Sequence, residues 1–171
     1  MIFVTVGSAP HSFKRLIQKM DEIASAIDNE IVIQKGLSPY QPITAKSFDF
    51  VDYDVAMNYF KNADIIVSHA SAGPILYARK FNKPLIMVPR RGDLHEHVDN
   101  HQMETARALG NSSEMIEVVY EINDLEEAIK RAHQKIRQNI NYGPPCSIEG
   151  LTECIISFIK TVEKKQETKQ V

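Results

Sequence analysis

The 171 residues contain no tryptophan, only two cysteines, and no surplus of positive charge. They also contain no apolar run near the roughly 20 residues that span a bilayer. Each absence removes a class. Cys146 and Cys154 form no C-x-x-C and are too few for a disulfide scaffold, so they read as two reduced thiols of a cytoplasmic protein. Lys plus Arg number 20 against 22 Asp plus Glu, a net charge of −2, which argues against a dedicated nucleic-acid binder. Neither G-x-G-x-x-G nor G-x-x-x-x-G-K-[ST] occurs, which speaks against NAD and ATP. No G-x-S-x-G elbow accompanies Ser68 and His69, so nucleophilic catalysis fits poorly and His69 reads as a structural residue at a strand end. No carboxylate pair stands out for glycoside hydrolysis. The opening "MIFVTVGS" reads as a first strand rather than a signal peptide.

What is present is alternation. Short apolar runs at 2–6, 31–34, 64–69, 84–89 and 115–120 have the continuous character of buried parallel strands, and "FDFVDY" (48–53) reads as a further short strand. Between them, apolar residues recur at three and four. Phe13, Leu16, Ile17, Met20, Ile23 and Ile27 make one helix face, and helices are also predicted from a cap at Asp54 to Asn62, over 73–81 and over 100–109. Asn123 and Glu126 have the spacing of a capping box for a helix carrying Leu125, Ala128, Ile129, Ala132 and Ile136. After the break "YGPP" (142–145), a last amphipathic helix is expected over 147–165, followed by a polar tail, 166–171. The pattern predicts one doubly wound α/β domain with a parallel, Rossmann-like sheet over 1–165.

In such a sheet, ligands sit outside the carboxyl ends of the strands. Three stretches lie there. Gly7-Ser8 follows the first strand. Ser71-Ala72-Gly73 opens a helix with Pro74 just inside it, a favoured place for proline. Small residues at a helix start suit an anion that must approach free N–H groups; they suit tight packing equally well. The third stretch, "HEHVDNHQ" (95–102), holds His95, His97 and His101 with two acids, Asn100 and Gln102. Its spacing matches neither the H-E-x-x-H helix nor a zinc finger, so no metal is expected. A solvated polar loop is one reading. Donors and acceptors for sugar hydroxyls are another.

Together, "VTVGS", "FDFVDY", "ADIIVSHASAGPILYARKFNKPLIMVPR" and "EHVDNHQ" resemble the C-terminal half of the family 28 glycosyltransferases. That half is the donor domain of the two-domain GT-B fold. The likeness is strongest to its stand-alone versions: the small soluble subunit of dolichol-linked UDP-N-acetylglucosamine transferase, and the matching subunit of bacterial two-component polysaccharide glycosyltransferases. The resemblance implies a UDP-sugar donor site and no other cofactor. Gly7 and Ser8 would lie by the donor diphosphate, Val51 would face uracil with its backbone, and Ser71, Ala72 and Gly73 would cradle the diphosphate. Asn100, His101 and Gln102 would hold the donor sugar. Where relatives carry an acidic ribose ligand, this chain has Tyr77, able to make one hydrogen bond rather than a bidentate pair.

The resemblance further implies an enzyme active only with a membrane-anchored, acceptor-binding partner that supplies the catalytic base. The pair would transfer a hexose or N-acetylhexosamine to a lipid-linked acceptor with inversion, and the chain would be cytoplasmic, recruited to the membrane by that partner. Ile155, Phe158, Ile159 and Val162 of the last helix would dock the partner or simply pack on their own domain. The alternative reading is a non-catalytic enhancer that stabilises another glycosyltransferase.

Overall fold

The computed structural model describes residues 1–110 and 114–140. The predicted helix 147–165 with Ile155, Phe158, Ile159 and Val162, the tail 166–171, and both cysteines lie outside the described residues.

Six strands form one sheet: β1 (Ile2–Thr5), β2 (Ile31–Gln34), β3 (Lys46–Phe48), β4 (Ile65–Ser68), β5 (Leu85–Met87) and β6 (Ile116–Val118). The spatial order is β3-β2-β1-β4-β5-β6, and every pairing is parallel. Parallel neighbours need crossovers, and the helices supply them: α1 (Lys14–Ala24), α2 (Tyr53–Asn62), α3 (Ala72–Lys80), α4 (His101–Leu109) and α5 (Leu125–Arg137). The order reverses between β1 and β4, the point at which doubly wound sheets open a crevice.

Alternate residues of β1 bury into opposite layers. Ile2, Val4 and Val6 pack with Leu16, Ile17 and Met20 of α1 and Leu125, Ala128 and Ile129 of α5. Phe3 turns the other way, towards Phe60 of α2, Ile75 and Ala78 of α3, and Ala106 of α4. Side chains of this size each stabilise the fold by about 1.5–3 kcal/mol when buried, so both layers hold the central strands in place.

Three local expectations are corrected. The third strand ends at Phe48, not Tyr53, because Asp52 already stands at the N-cap of α2. Phe50, Val51 and Tyr53 are exposed, so their apolar run is a surface ledge rather than a buried strand. Asp54 therefore sits in the first turn of α2, not at its cap. Asn123 falls inside a 3-10 turn (Ile122–Asp124), Asp124 precedes α5, and no side-chain cap forms there.

One buried acid was not anticipated. Asp21 on α1 accepts from the N–H groups of Ile43 (2.8 Å), Thr44 (2.8 Å) and Ala45 (2.9 Å) and from the Tyr40 hydroxyl (2.9 Å). Burial alone would raise its pKa. The four donors outweigh that and hold it below the usual value, so Asp21 stays ionised and pins the loop that leads into β3.

Candidate functional site at the carboxyl end of the sheet

The crevice at the switch point has two walls. The first is the turn after β1. Gly7 has φ +74°, and a Cβ there would lie 2.6 Å from His69 Cε1 and 2.8 Å from its Nε2. Glycine is therefore required twice, by backbone conformation and by the neighbouring ring. The turn is also tied by polar contacts. Gly7 N donates to Thr5 Oγ1 (3.2 Å), Gln34 Nε2 donates to Gly7 O (3.1 Å), and Thr5 Oγ1 donates to Gln34 Oε1 (2.5 Å). Ser8 is exposed beside it.

His69, buried just after β4, forms the floor. Burial, followed by the nearby charge of Arg90, outweighs a hydrogen bond to the Thr5 backbone and pushes its pKa down to about 4. The ring is neutral at physiological pH. Arg90 itself is fully buried at the end of β5. Its Nη1 donates to His11 O (2.8 Å) and Glu96 O (3.0 Å), its Nη2 to Val6 O (2.8 Å), and its guanidinium carbon lies 4.7 Å from the Phe13 ring centroid. Burial lowers its pKa to about 10 against the pull of Glu96, which still leaves it charged. Glu96 in turn takes a bidentate pair from Arg15 (2.8 and 2.9 Å) and the N–H of Arg91 (3.0 Å). Arg90, Glu96 and Arg15 thus lock the 90–100 loop to the turn after β1. Sequence reasoning missed all three. The one available signal was a pair of arginines directly after the buried run "IMVP".

The second wall is the start of α3. Ser71 is extended at the N-cap (φ −134°, ψ 162°), and no side chain caps the helix. Its own N–H is used by His69 O (3.0 Å). Pro74 has no N–H, so Ala72 and Gly73 carry the first-turn donors. A Cβ added at Gly73 would meet nothing within 4 Å. Among the described residues, no packing contact requires glycine there.

Beside it lies the ledge. Phe50, Val51, Asp52 and Val55 line a concavity of about 430 Å³. Tyr77 is half-buried on α3, 4.9 Å from the Phe60 ring and 6.5 Å from Tyr53. Burial, then a hydrogen bond with Tyr53, raises its pKa. Asp52-Tyr53-Asp54 is an Asp-x-Asp spacing, and the fold spends it on starting α2.

The loop residues are distributed unequally. Asn100 Oδ1 accepts from Gly92 N (2.8 Å), and Gln102 is buried with Oε1 on Arg90 N (3.1 Å). Each therefore keeps its amide nitrogen for another contact. His101 is half-exposed at the start of α4, its Nδ1 2.5 Å from Asp99 Oδ1.

Residues 1–144 match the family model described as the glycosyltransferase family 28 C-terminal domain. The chain belongs to this family. Among curated proteins it is 31% identical over 119 residues to the human UDP-N-acetylglucosamine transferase subunit ALG13, and 35% identical over 71 residues to the subunit of that name from Candida albicans. These matches cover 63% and 42% of this chain but only 10% and 22% of those proteins. Among solved structures, the glycotransferase of kitacinnamycin superposes with a TM-score of 0.55 at 16% identity, over 89% of this chain and 37% of that one. MurG of Acinetobacter baumannii gives 0.52 at 16% identity, over 76% and 40%. At such identities the likeness shows the fold alone: this family 28 domain is built like part of a larger glycosyltransferase.

Proposed function

We propose that this chain is the donor-binding subunit of a two-component UDP-sugar glycosyltransferase. One observation carries the reading. In a family 28 domain, the helix start at Ser71–Gly73 has two first-turn N–H groups and no side-chain cap, and no described residue lies where a Gly73 Cβ would stand. A helix N-terminus of that kind suits a diphosphate. It would stabilise the negative charge that develops on departing UDP, because its donors are already in place and need no reorganisation.

The other parts follow the same geometry. Gly7 and Ser8 would face the diphosphate from the opposite wall. The exposed ledge would take the base, with Val51 offering its backbone to uracil. The amide nitrogens of Asn100 and Gln102, together with His101, would meet the sugar hydroxyls. The transfer inverts the anomeric carbon, and a lipid-linked acceptor is bound by a membrane-anchored partner that supplies the base. The named relatives, which are subunits of a UDP-N-acetylglucosamine transferase, support an assembly of this kind. Ile155, Phe158, Ile159 and Val162 would serve the partner contact. Tyr77 favours a second reading, a non-catalytic enhancer, because a tyrosine packed against Phe60 replaces a bidentate ribose ligand.

Saturation-transfer NMR with UDP, UDP-N-acetylglucosamine, UDP-glucose and UDP-galactose tests the proposal. Uridine protons should saturate with the wild-type chain and lose saturation with Gly73→Val. Sugar protons should lose it with His101→Ala/Gln102→Ala. With the partner present, Gly73→Val should abolish turnover while the complex persists. Unchanged turnover would sink the donor reading and leave the enhancer.

A further inference from the structure

Between the end of β5 and the first turn of α4, the chain spends alternate residues on different tasks. Glu96 and Asn100 are consumed by the fold, the first by Arg15 and the N–H of Arg91, the second by the N–H of Gly92. The ring nitrogens of His97 and His101 are left out of that framework, while exposed Asp99 takes the His101 N–H on Oδ1 (3.1 Å) at the start of α4. One ligand-type atom from each converges on a common point, all within 4.8 Å of one another. Asp99 Oδ1 lies 3.2 Å from His97 Nδ1 and 2.5 Å from His101 Nδ1. The two imidazoles stand edge to face, 4.4 Å apart.

Two imidazoles around one carboxylate oxygen admit a hydrogen-bonded reading, but His97 does not fit it. Its Nδ1 is shut off from solvent, and the one group near it is Asp99 Oδ1 at 3.2 Å, an oxygen already engaged by the N–H and Nδ1 of His101. A buried ring nitrogen that shares one oxygen with two other donors is poorly satisfied. A cation between the three atoms satisfies all of them. We propose that His97, Asp99 and His101 form a binding site for a late first-row divalent cation, with zinc the best fit.

The chemistry of the ligands selects the ion. Imidazole nitrogen suits zinc, cobalt and nickel, whereas magnesium and calcium prefer oxygen sets. Three protein ligands leave the fourth tetrahedral position for water. Zinc to nitrogen or oxygen spans about 2.0–2.2 Å, which brings tetrahedral ligand atoms to roughly 3.5 Å from one another. The cluster reaches that by small side-chain rotations on a loop whose backbone is already fixed by Arg90 and Glu96. His101 is half-exposed, so an ion can reach the site from solvent. The sequence hid this arrangement because H-x-D-x-H corresponds to no helical metal motif. It is the bend into α4 that brings the first and last histidines together.

The site shares His101 with the proposed sugar contact, but its test needs no donor. Tag-free full-length chain, stripped with chelator, is titrated with Co²⁺ by visible absorption and with Zn²⁺ against a chromophoric chelator. One equivalent should bind, with a tetrahedral cobalt spectrum and little response to Mg²⁺. His97→Ala and Asp99→Asn should weaken Zn²⁺ binding by at least about 10–100-fold, the cost of losing even a residue that only supports a ligand. His95→Ala, on the same loop but outside the cluster, should bind like wild type. Metal-free thermal melts establish that each variant is folded. Absence of zinc binding by wild type, equal losses in His95→Ala, or unchanged affinity in folded His97→Ala would overturn the proposal.

Discussion

On one side of the crevice, the turn after β1 is filled by the protein itself. Gly7 packs on the His69 ring, Gln34 and Thr5 take its polar atoms, and Arg90 ties the same region to the loop after β5. On the other side, the turn after β4 is uncapped, Gly73 faces open space, and the neighbouring ledge exposes Phe50, Val51 and Tyr53. Both walls contain small residues at a strand end, and the sequence presents them as the same kind of feature. They are small for different reasons. The first wall is a scaffold in which glycine answers an internal demand. In the second, no described neighbour makes such a demand, as the proposed donor site would require. The difference can be measured, because a change on the scaffold wall should damage stability and a change on the open wall should damage binding.

The largest stability effect should come from Arg90. Its guanidinium bonds three backbone carbonyls in a site without solvent. Hydrogen bonds from a charged group are worth about 1.5–3 kcal/mol each, though not additively. Arg90→Ala should therefore lose about 3–5 kcal/mol, the range for breaking a buried charged network. In a chain of this size that lowers the melting temperature by on the order of 10 °C. A melt displaced by only a degree or two would show that the wall stands without its arginine.

Gly7→Ala comes next. A Cβ at φ +74° is strained, and here it also meets the His69 ring at 2.6 Å. Strain of this kind costs of order 1–3 kcal/mol before the clash is counted. Chemical denaturation should show a loss of about 2–4 kcal/mol with an unchanged slope. Wild-type stability in Gly7→Ala would mean that the two glycines are equivalent after all, and the contrast between the walls would fall.

The scaffold wall should also be the acid-sensitive one. His69 is neutral in the fold down to about pH 4, whereas an unfolded histidine takes its proton near 6.5. The unfolded state therefore binds more protons between those values. The stability of the neutral form is fully present above about pH 6.5 and is lost as pH falls towards 4. At pH 5.5 the penalty from this one residue is about 1.4 kcal/mol. Unfolding free energies from urea titration at pH 7.5 and 5.5 should fall less in His69→Gln than in wild type by that amount. Parallel falls in the two proteins would remove His69 as the cause.

How much of this was legible depended on what each residue answers to. The runs at 2–6, 31–34 and 64–69 were readable because strands buried on both faces must be apolar throughout. The run at 48–53 misled because the same apolar residues can line an exposed ledge, and nothing local separates the two cases. The capping residue of α2 was displaced by two positions because Asp52 and Asp54 are equally able acids. The turns at Gly7 and Ser71–Gly73 could be found from the fold rule alone. Arg90 could not be found that way, since a buried arginine is made tolerable by carbonyls of Val6, His11 and Glu96 that the sequence keeps far apart. Gln102 was found as a polar residue, but its oxygen was already committed to Arg90 N.

The smallest stability effect is the most discriminating. Gly73 sits in the first turn of α3, without a positive φ, and a methyl group there meets no atom of the described residues. Alanine is the better helix former and narrows the unfolded ensemble, so Gly73→Ala should be neutral or stabilising by up to about 1 kcal/mol. With the diphosphate placed at this helix start, as proposed, the same methyl group narrows its approach to the Ala72 and Gly73 N–H groups. A displacement that costs about 1.4 kcal/mol of binding weakens UDP tenfold. Melting and UDP titration on this one variant therefore pull apart the two meanings of a bare turn. A protein as stable as wild type that has lost UDP marks Gly73 as a ligand residue. One that keeps UDP moves the diphosphate elsewhere on the rim, and one that loses stability makes Gly73 a packing residue like Gly7.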